Sequence, residues 1–141
     1  QTIGHDKLNM LRHVRYFKNI DGVKAHMKKH AAILRPKFEV VLTTLEKELG
    51  GKDIARWHNP RGGYFVSVNL MDGCAKETVR LLKEAGVVMT GAGATYPYGK
   101  DPKDSNIRIA PTYPTLPELR LACELLCIAV RLASVEKLLG A

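Results

Sequence analysis

The chain has 141 residues, a length that fits one domain with a modest core of its own. Hydrophobic residues make up 45% and charged residues 26%, which excludes a disordered chain, and no apolar run approaches the roughly 20 residues of a membrane span. The formal net charge of +8 is concentrated in residues 1–40, which hold nine lysines and arginines against three acidic residues. Such a basic segment can contact nucleic acid or an anionic cofactor, but it is most often a solvated surface.

The first part of the chain has helical periodicity. A short helix is predicted over residues 5–17, with a corner at residues 19–22. A long amphipathic helix is predicted over residues 21–49, since apolar residues recur every three or four positions and two glycines follow. Pro36 lies inside this helix, where it removes one hydrogen bond and crowds the carbonyl of Ala32, so we expect a kink or a break there.

The middle of the chain alternates between short strands and turns. The pattern predicts a hairpin-like pair of strands over residues 54–58 and 64–70, a helix over 75–85 and a short strand at 87–89. Residues 90–105 contain three glycines and two prolines, and a loop of this length inside a compact domain is usually functional or mobile. It leads to a fourth predicted strand with Arg108 at its centre.

The last predicted helix, residues 116–139, has two apolar stripes. One stripe comprises Leu119, Cys123, Leu126, Val130 and Ala133, and the other comprises Leu121, Leu125, Ile128, Leu132, Val135 and Leu139. Because such a helix needs two surfaces to pack against, we expect one to be the sheet and the other to lie outside this chain. The order of elements predicts an α+β fold in which helices, including a long N-terminal and a long C-terminal one, cover a small, mostly antiparallel sheet.

The histidines and cysteines do not specify a metal site or a nucleophile. His26 and His30 are spaced i, i+4, but no glutamate follows His26 and two lysines lie between them, which favours a surface pair. Cys74, Cys123 and Cys127 lie in apolar helical contexts, and nothing at ligand spacing completes a metal site. We therefore predict reduced cysteines, no metal ion and a cytoplasmic protein.

Arg108 lies on a strand that is otherwise apolar, and two interpretations of it stay open. It can face solvent from an edge strand. Alternatively, its planar guanidinium can hold a carboxylate in a cleft by two parallel hydrogen bonds, since a buried arginine without a partner is costly. In the second case the loop before Arg108 and the prolines after it would shape the cleft.

Three segments, WHNPRGGYFVSVNL, LLKEAGVVMTGAGATYPYG and NIRIAPTYPTLPELRLACELL, resemble in this order the small C-terminal domain of fold type I, class I/II aminotransferases that depend on pyridoxal phosphate. The family pattern is P-x-G-G-[YMF]-F, a helix ending in E-x-G-V, a loop containing glycine and a strand with [NR]-I-R-[IL], and all four occur here. HVRYF and KKHAAILRPKFE are similar to a bacterial subgroup described as MocR-type or aspartate-aminotransferase-like. The resemblance covers essentially the whole chain, and the order of the motifs is more specific than any one of them.

The resemblance implies substrate-binding roles for four residues. Arg108 is similar to the family's arginine that holds the substrate α-carboxylate. Phe65, with Gly63 two residues before it, resembles the segment that lines the substrate pocket, and Tyr96 lies in the loop that approaches the active site. The family's lysine that binds the cofactor covalently and the aspartate that pairs with the pyridine nitrogen belong to its large domain, so no catalytic residue is expected in this chain.

The resemblance also implies the setting of the chain. Residues 1–141 are expected to form a single domain, with residues 1–20 as the connection from an absent large domain. The chain begins at Gln1 without a leader pattern, so we expect that a preceding segment has been removed. The intact protein is expected to be a homodimer that binds pyridoxal 5'-phosphate mainly through the large domain. Its substrates would be an amino acid, with aspartate suggested by the subgroup, and a 2-oxo acid, and no nucleic acid or membrane would be a partner.

Two other functions stay open at this point. A small basic α+β module could bind nucleic acid through its N-terminal charge, although the adjacent Tyr64 and Phe65 point to opposite faces, unlike interleaved aromatics that stack bases. A β-lyase or a regulator with the aminotransferase fold could use the same arginine, since a fold does not fix a reaction.

Overall fold

A computed structural model describes residues 4–140 of the chain. The helices are α1 (Lys7–Phe17), α2 (Ile20–Leu49), α3 (Ala75–Glu84) and α4 (Leu116–Leu139), and the strands are β1 (Ala55–Trp57), β2 (Val66–Leu70) and β3 (Asn106–Ile109). A short 3-10 turn covers Pro97–Gly99. The predicted α+β fold with long terminal helices is confirmed. No helix in residues 4–140 combines the length and the apolar character that crossing a membrane requires.

The chain divides into two compact units, Gln1–Arg35 and Pro36–Ala141. The boundary falls at Pro36, and α2 is a single helix from Ile20 to Leu49, so a break at this proline is wrong, while a kink there stays a prediction. Proline removes only its own N–H from the helical ladder, and the remaining hydrogen bonds can carry the helix past it. That residues 1–141 form one domain with residues 1–20 as a connection stays a prediction.

In the first unit, Asp6 caps the start of α1, and its carboxylate accepts a hydrogen bond from the Asn9 N–H at 3.0 Å. His26 makes edge-to-face contacts with Tyr16 and Phe17, at ring-centre distances of 5.6 and 5.3 Å. The Nε2 atoms of His26 and His30 are 2.9 Å apart. In the part of the chain that the structure describes, no group of three or more histidine, cysteine or acidic side chains could hold a metal ion.

In the second unit, the sheet is antiparallel with strand order β1-β2-β3. Side chains alternate between its two faces, so every second residue of a strand is apolar and buried. The buried face is formed by Val66, Val68, Leu70, Ile107 and Ile109. The opposite face, called the polar face below, carries Arg56, Ser67, Asn69, Asn106 and Arg108.

Helix α4 has the two-sided character predicted for it. Leu119, Cys123, Leu126, Val130 and Ala133 are all buried in the core. In the second stripe Leu125 is partly buried against the core, and the others are exposed, from Leu132 at 44% to Leu139 at 78%. The helix begins with a capping box in which the Glu118 carboxylate accepts hydrogen bonds from the backbone N–H and the hydroxyl of Thr115. It ends before Gly140, which adopts the left-handed backbone conformation.

The strand predicted at residues 87–89 was wrong. The Val87 N–H donates to the Leu82 carbonyl at 2.8 Å, which ties the segment to the end of α3, and Val88 is 87% exposed. Three consecutive apolar residues do not form a strand without a neighbouring strand to pair with.

The three cysteines are free and buried, as predicted. Burial raises the pKa of the Cys123 thiol to about 11 and that of the Cys127 thiol to about 12. These thiols therefore stay protonated at neutral pH and pack as small apolar side chains.

Candidate functional site

Arg108 is a half-buried cation that has no anionic partner among residues 4–140. It pairs with Ser67 across the sheet, at the centre of β3. Its Nε is buried and makes no hydrogen bond, and its guanidinium forms no salt bridge with residues 4–140. An unsatisfied buried donor of this kind costs about 1–3 kcal/mol, more when it is charged. Arg108 therefore offers a hydrogen-bond donor for which the described residues supply no acceptor.

Phe65 covers one side of this guanidinium. The Arg108 Cζ lies 4.2 Å from the centroid of the Phe65 ring, the geometry of a cation–π contact. Phe65 is itself 45% exposed and lies in the turn that leads into β2. Gly63, with φ of +89°, makes this turn in a backbone region that only glycine enters without strain. The turn thus brings an aromatic ring to the arginine from 43 positions earlier in the chain.

Beside Arg108, a buried carboxamide connects the sheet to the long loop. Asn106 is only 5% exposed. Its Nδ2 donates to Asn69 Oδ1 at 2.8 Å and to Ser67 Oγ at 3.0 Å, while its Oδ1 accepts from the Thr95 hydroxyl at 2.6 Å. Its backbone carbonyl accepts from the Gly93 N–H at 3.2 Å. The polar face therefore holds the loop of residues 90–105 in place through Asn106.

Asp101 organises the end of the same loop. Its carboxylate accepts hydrogen bonds from the backbone N–H groups of Ser105 and Asn106, both at 2.8 Å, and of Lys103 at 3.0 Å. Burial, the largest single influence, raises the pKa of Asp101, but the three N–H donors together hold that pKa below its usual range. The ionised form of Asp101 is therefore the one that stabilises the entry into β3.

We expect the Asp101→Asn substitution to destabilise the chain at neutral pH, because the amide group turns N–H donors toward the backbone donors. An aspartate in an unfolded chain has a pKa of about 3.9, and the folded value is lower. The stabilisation by Asp101 is therefore complete at pH values well above 4 and is lost as the pH falls through the folded pKa. The melting-temperature difference between the wild type and this variant should shrink as the pH is lowered from 7 to 3.

Asp53→Asn is the matched control for this measurement. Asp53 has a side chain that is 90% exposed and lies 3.9 Å from Arg56, so removing its charge should change the melting temperature little at any pH. If the wild type and the Asp101→Asn variant differ by the same amount at pH 3 and pH 7, the proposed role of the ionised carboxylate is wrong.

The segment after Arg108 is held by a lysine of α2. Lys37 Nζ donates to the carbonyls of Thr112 and Pro114, each at 2.7 Å, and Pro111 is fully buried. Residues 111–114 are thereby attached to α2 where the chain leaves the sheet.

Of the four predicted site residues, the structure brings Phe65 and Arg108 into contact, with Gly63 in the turn that carries Phe65. Tyr96 is 36% exposed, follows Thr95 in the loop, and makes no side-chain hydrogen bond with residues 4–140. What these residues bind stays a prediction.

Sequence reasoning missed the supporting polar residues, which are Ser67, Asn69, Thr95, Asp101 and Asn106. The available signal was the alternation along FVSVNL and NIRI, which places polar side chains on the same face as the arginine.

Comparison with known proteins identifies the family. The family model for aspartate amino-transferase matches residues 1–141. A Mycolicibacterium smegmatis protein to which an aminotransferase function has been attributed is 50% identical over 140 residues, which are 99% of this chain and 33% of that protein. An aspartate aminotransferase of Corynebacterium glutamicum is 45% identical over 134 residues, 95% of this chain and 31% of that protein.

Solved structures are consistent with this family assignment. The crystal structure of an aspartate transaminase from Corynebacterium glutamicum superposes with a TM-score of 0.91 at 44% identity, over 96% of this chain and 32% of that one. LysN, an α-aminoadipate aminotransferase from Thermus thermophilus, shares the fold with a TM-score of 0.68 at 21% identity, over 81% of this chain and 28% of that one. The chain thus spans about a third of the length of these relatives. Since the family model covers every residue, the chain belongs to the aspartate amino-transferase family.

Proposed function

We propose that the chain is the C-terminal substrate-binding domain of a longer aminotransferase that depends on pyridoxal phosphate, and that Arg108 binds the α-carboxylate of the amino acid. The observation that carries this proposal is the buried Nε of Arg108, which has no acceptor in residues 4–140. A carboxylate has two oxygens that match the guanidinium fork and would accept two parallel hydrogen bonds.

The surroundings of Arg108 support a carboxylate as its ligand. Phe65 covers one face of the guanidinium and limits the access of water, which strengthens the attraction between opposite charges. Ser67 and Asn106, its neighbours on the polar face, are uncharged and do not compete for the cation. The positive charge of Arg108 therefore stays available to a substrate.

Binding the α-carboxylate fixes the position of the substrate α-carbon. A substrate bound in a fixed orientation reacts as in an intramolecular step, because the entropy cost of orienting the reacting groups has already been met by binding. Pyridoxal phosphate, when bound, supplies an electron-accepting ring for the loss of the α-proton. Arg108 forms no salt bridge with a carboxylate of residues 4–140, which fits a substrate-binding role, and we expect cofactor binding in the rest of the longer protein.

The wider setting of the proposal is that of the family. The whole protein would be a cytoplasmic homodimer that exchanges an amino group between an amino acid and a 2-oxo acid, and the 141-residue chain alone would not turn over. The similar Corynebacterium glutamicum sequence and solved structure both carry aspartate in their names, which supports aspartate as the first substrate to test. Neither the nucleic-acid alternative nor the lyase or regulator alternative is supported by a specific contact.

The test is the visible absorption of the full-length gene product with pyridoxal phosphate, before and after an amine is added. We expect a band from the bound cofactor that aspartate converts to that of pyridoxamine phosphate. β-Alanine, which is aspartate without its α-carboxylate, should leave the band unchanged at the same concentration. The 141-residue chain alone should show no such band.

Two results would contradict the proposal. Full-length protein without a cofactor band would mean that the family fold is present without its chemistry. Equal conversion by aspartate and β-alanine would mean that the α-carboxylate is not what the site recognises.

A further inference from the structure

We infer that Asn106 is a positioning residue for Arg108, and this inference rests on the proposed function. Its buried carboxamide fixes the loop of residues 90–105 against the polar face. Because the carboxamide is uncharged, it also leaves the guanidinium free for the carboxylate of a substrate. Both parts of the inference follow from the contacts and the placement of this one residue.

The loop reaches Asn106 by three separate contacts. Its side-chain Oδ1 accepts from Thr95, its backbone carbonyl accepts from Gly93, and its backbone N–H donates to Asp101. These contacts come from both ends of the loop, and they use the side chain and both backbone groups of one residue. Tyr96 follows Thr95 directly in the chain, so the backbone position of Tyr96 depends on the same anchor.

The sheet fixes the orientation of the carboxamide from the other side. Its Nδ2 donates to Asn69 and Ser67, which lie opposite Asn106 and Arg108 on β2. With donors and acceptor all engaged and only 5% of the residue exposed, the amide occupies one orientation. Ser67 faces Arg108 across the sheet, and its hydroxyl accepts a hydrogen bond from Asn106, which lies two positions before Arg108.

The absence of charge at position 106 is the second part of the inference. Residues two apart on a strand lie on the same face, about 7 Å apart, a separation that a long arginine side chain can span. A carboxylate at position 106 would pair with Arg108 and compete with the substrate. Asn106, Ser67, Asn69 and Thr95 provide hydrogen bonds without supplying that competitor.

Four variants of the full-length protein test the inference in steady-state kinetics with aspartate. Asn106→Asp should raise KM about tenfold or more and leave kcat within about twofold, since a pre-formed ion pair weakens substrate binding before the reaction begins. Asn106→Ala removes the side-chain hydrogen bonds without adding charge, so its KM should rise about as much as that of Thr95→Val and less than that of Asn106→Asp. Thr95→Val should raise KM about threefold to tenfold through loss of one buried hydrogen bond, whereas Thr95→Ser, which retains the hydroxyl, should restore the wild-type KM.

A merely structural role for Asn106 predicts a different pattern. In that case the Asp and Ala variants would raise KM equally, or would lower kcat and melting temperature together, and either result would overturn the inference. If the Asn106 variants do not fold, the comparison of Thr95→Val with Thr95→Ser decides, and equal KM values for these two would reject the anchor. Wild-type protein that binds the cofactor but does not discriminate aspartate from β-alanine would instead reject the proposed function.

Discussion

The Arg108→Ala variant of the full-length protein should lose nearly all affinity for amino acids. Hydrogen bonds to a charged group are worth about 1.5–3 kcal/mol each, so losing a two-bond clamp should cost about 3–6 kcal/mol. At 1.4 kcal/mol per factor of ten, the KM for aspartate should rise by a factor of about 10² to 10⁴. Titration of the cofactor band with aspartate measures the same loss of affinity without turnover.

The matched variants separate charge from geometry. Arg108→Lys keeps the positive charge but loses the planar fork, so its KM should fall between those of the wild type and the alanine variant. Arg120→Ala removes an exposed arginine from the first turns of α4 and should leave KM unchanged. Wild-type affinity in the Arg108→Ala protein would mean that another residue binds the α-carboxylate.

The same substitution should leave the stability of the protein nearly unchanged. The cation–π contact with Phe65 contributes about 0.5–1 kcal/mol, and its loss destabilises the fold. Removing a buried Nε that has no acceptor offsets this loss, because the cost of its desolvation disappears. A residue that contributes to binding without contributing to stability is expected at a functional site.

Local signals allowed much of the fold to be predicted. The bounds of α4 were predicted as observed from its apolar periodicity, and the structure shows the physical cause of both ends, a capping box at Thr115 and Glu118 and a left-handed Gly140. The strand at residues 87–89 failed because strand formation depends on a partner elsewhere in the chain, which a short apolar run does not reveal.

Only part of the candidate site could be predicted from the sequence. Arg108 was predicted as a site residue because a charged side chain on an apolar strand is costly unless it has a partner. Phe65 was assigned through the resemblance alone, since no spacing rule relates it to an arginine 43 positions later. Asn106 was missed because a single polar residue at the edge of a strand is common, and only the folded chain shows that its carboxamide connects Thr95 to Asn69.

Substitutions in the hydrophobic core beneath the site should also have large effects. Leu45 of α2 is fully buried and belongs to the same hydrophobic core as Ile107 and Ile109, which flank Arg108 and point to the opposite face of the sheet. Leu45→Ala should lower the free energy of unfolding by about 2–5 kcal/mol, through lost burial and the cavity left behind. A typical domain has a free energy of unfolding of about 5–15 kcal/mol, so this loss is a large fraction of it and should also destabilise β3, the strand that carries Arg108.

Urea denaturation of the 141-residue chain measures this effect, and Leu121→Ala provides the control. Leu121 is 59% exposed on α4, so the same chemical change there should alter the free energy of unfolding by at most about 0.5 kcal/mol. Equal effects of the two substitutions would mean that the second stripe of α4 is covered in the isolated chain, for example by self-association. A large effect of Leu45→Ala alone would show that the hydrophobic core to which Leu45, Ile107 and Ile109 belong stabilises the domain that carries Arg108.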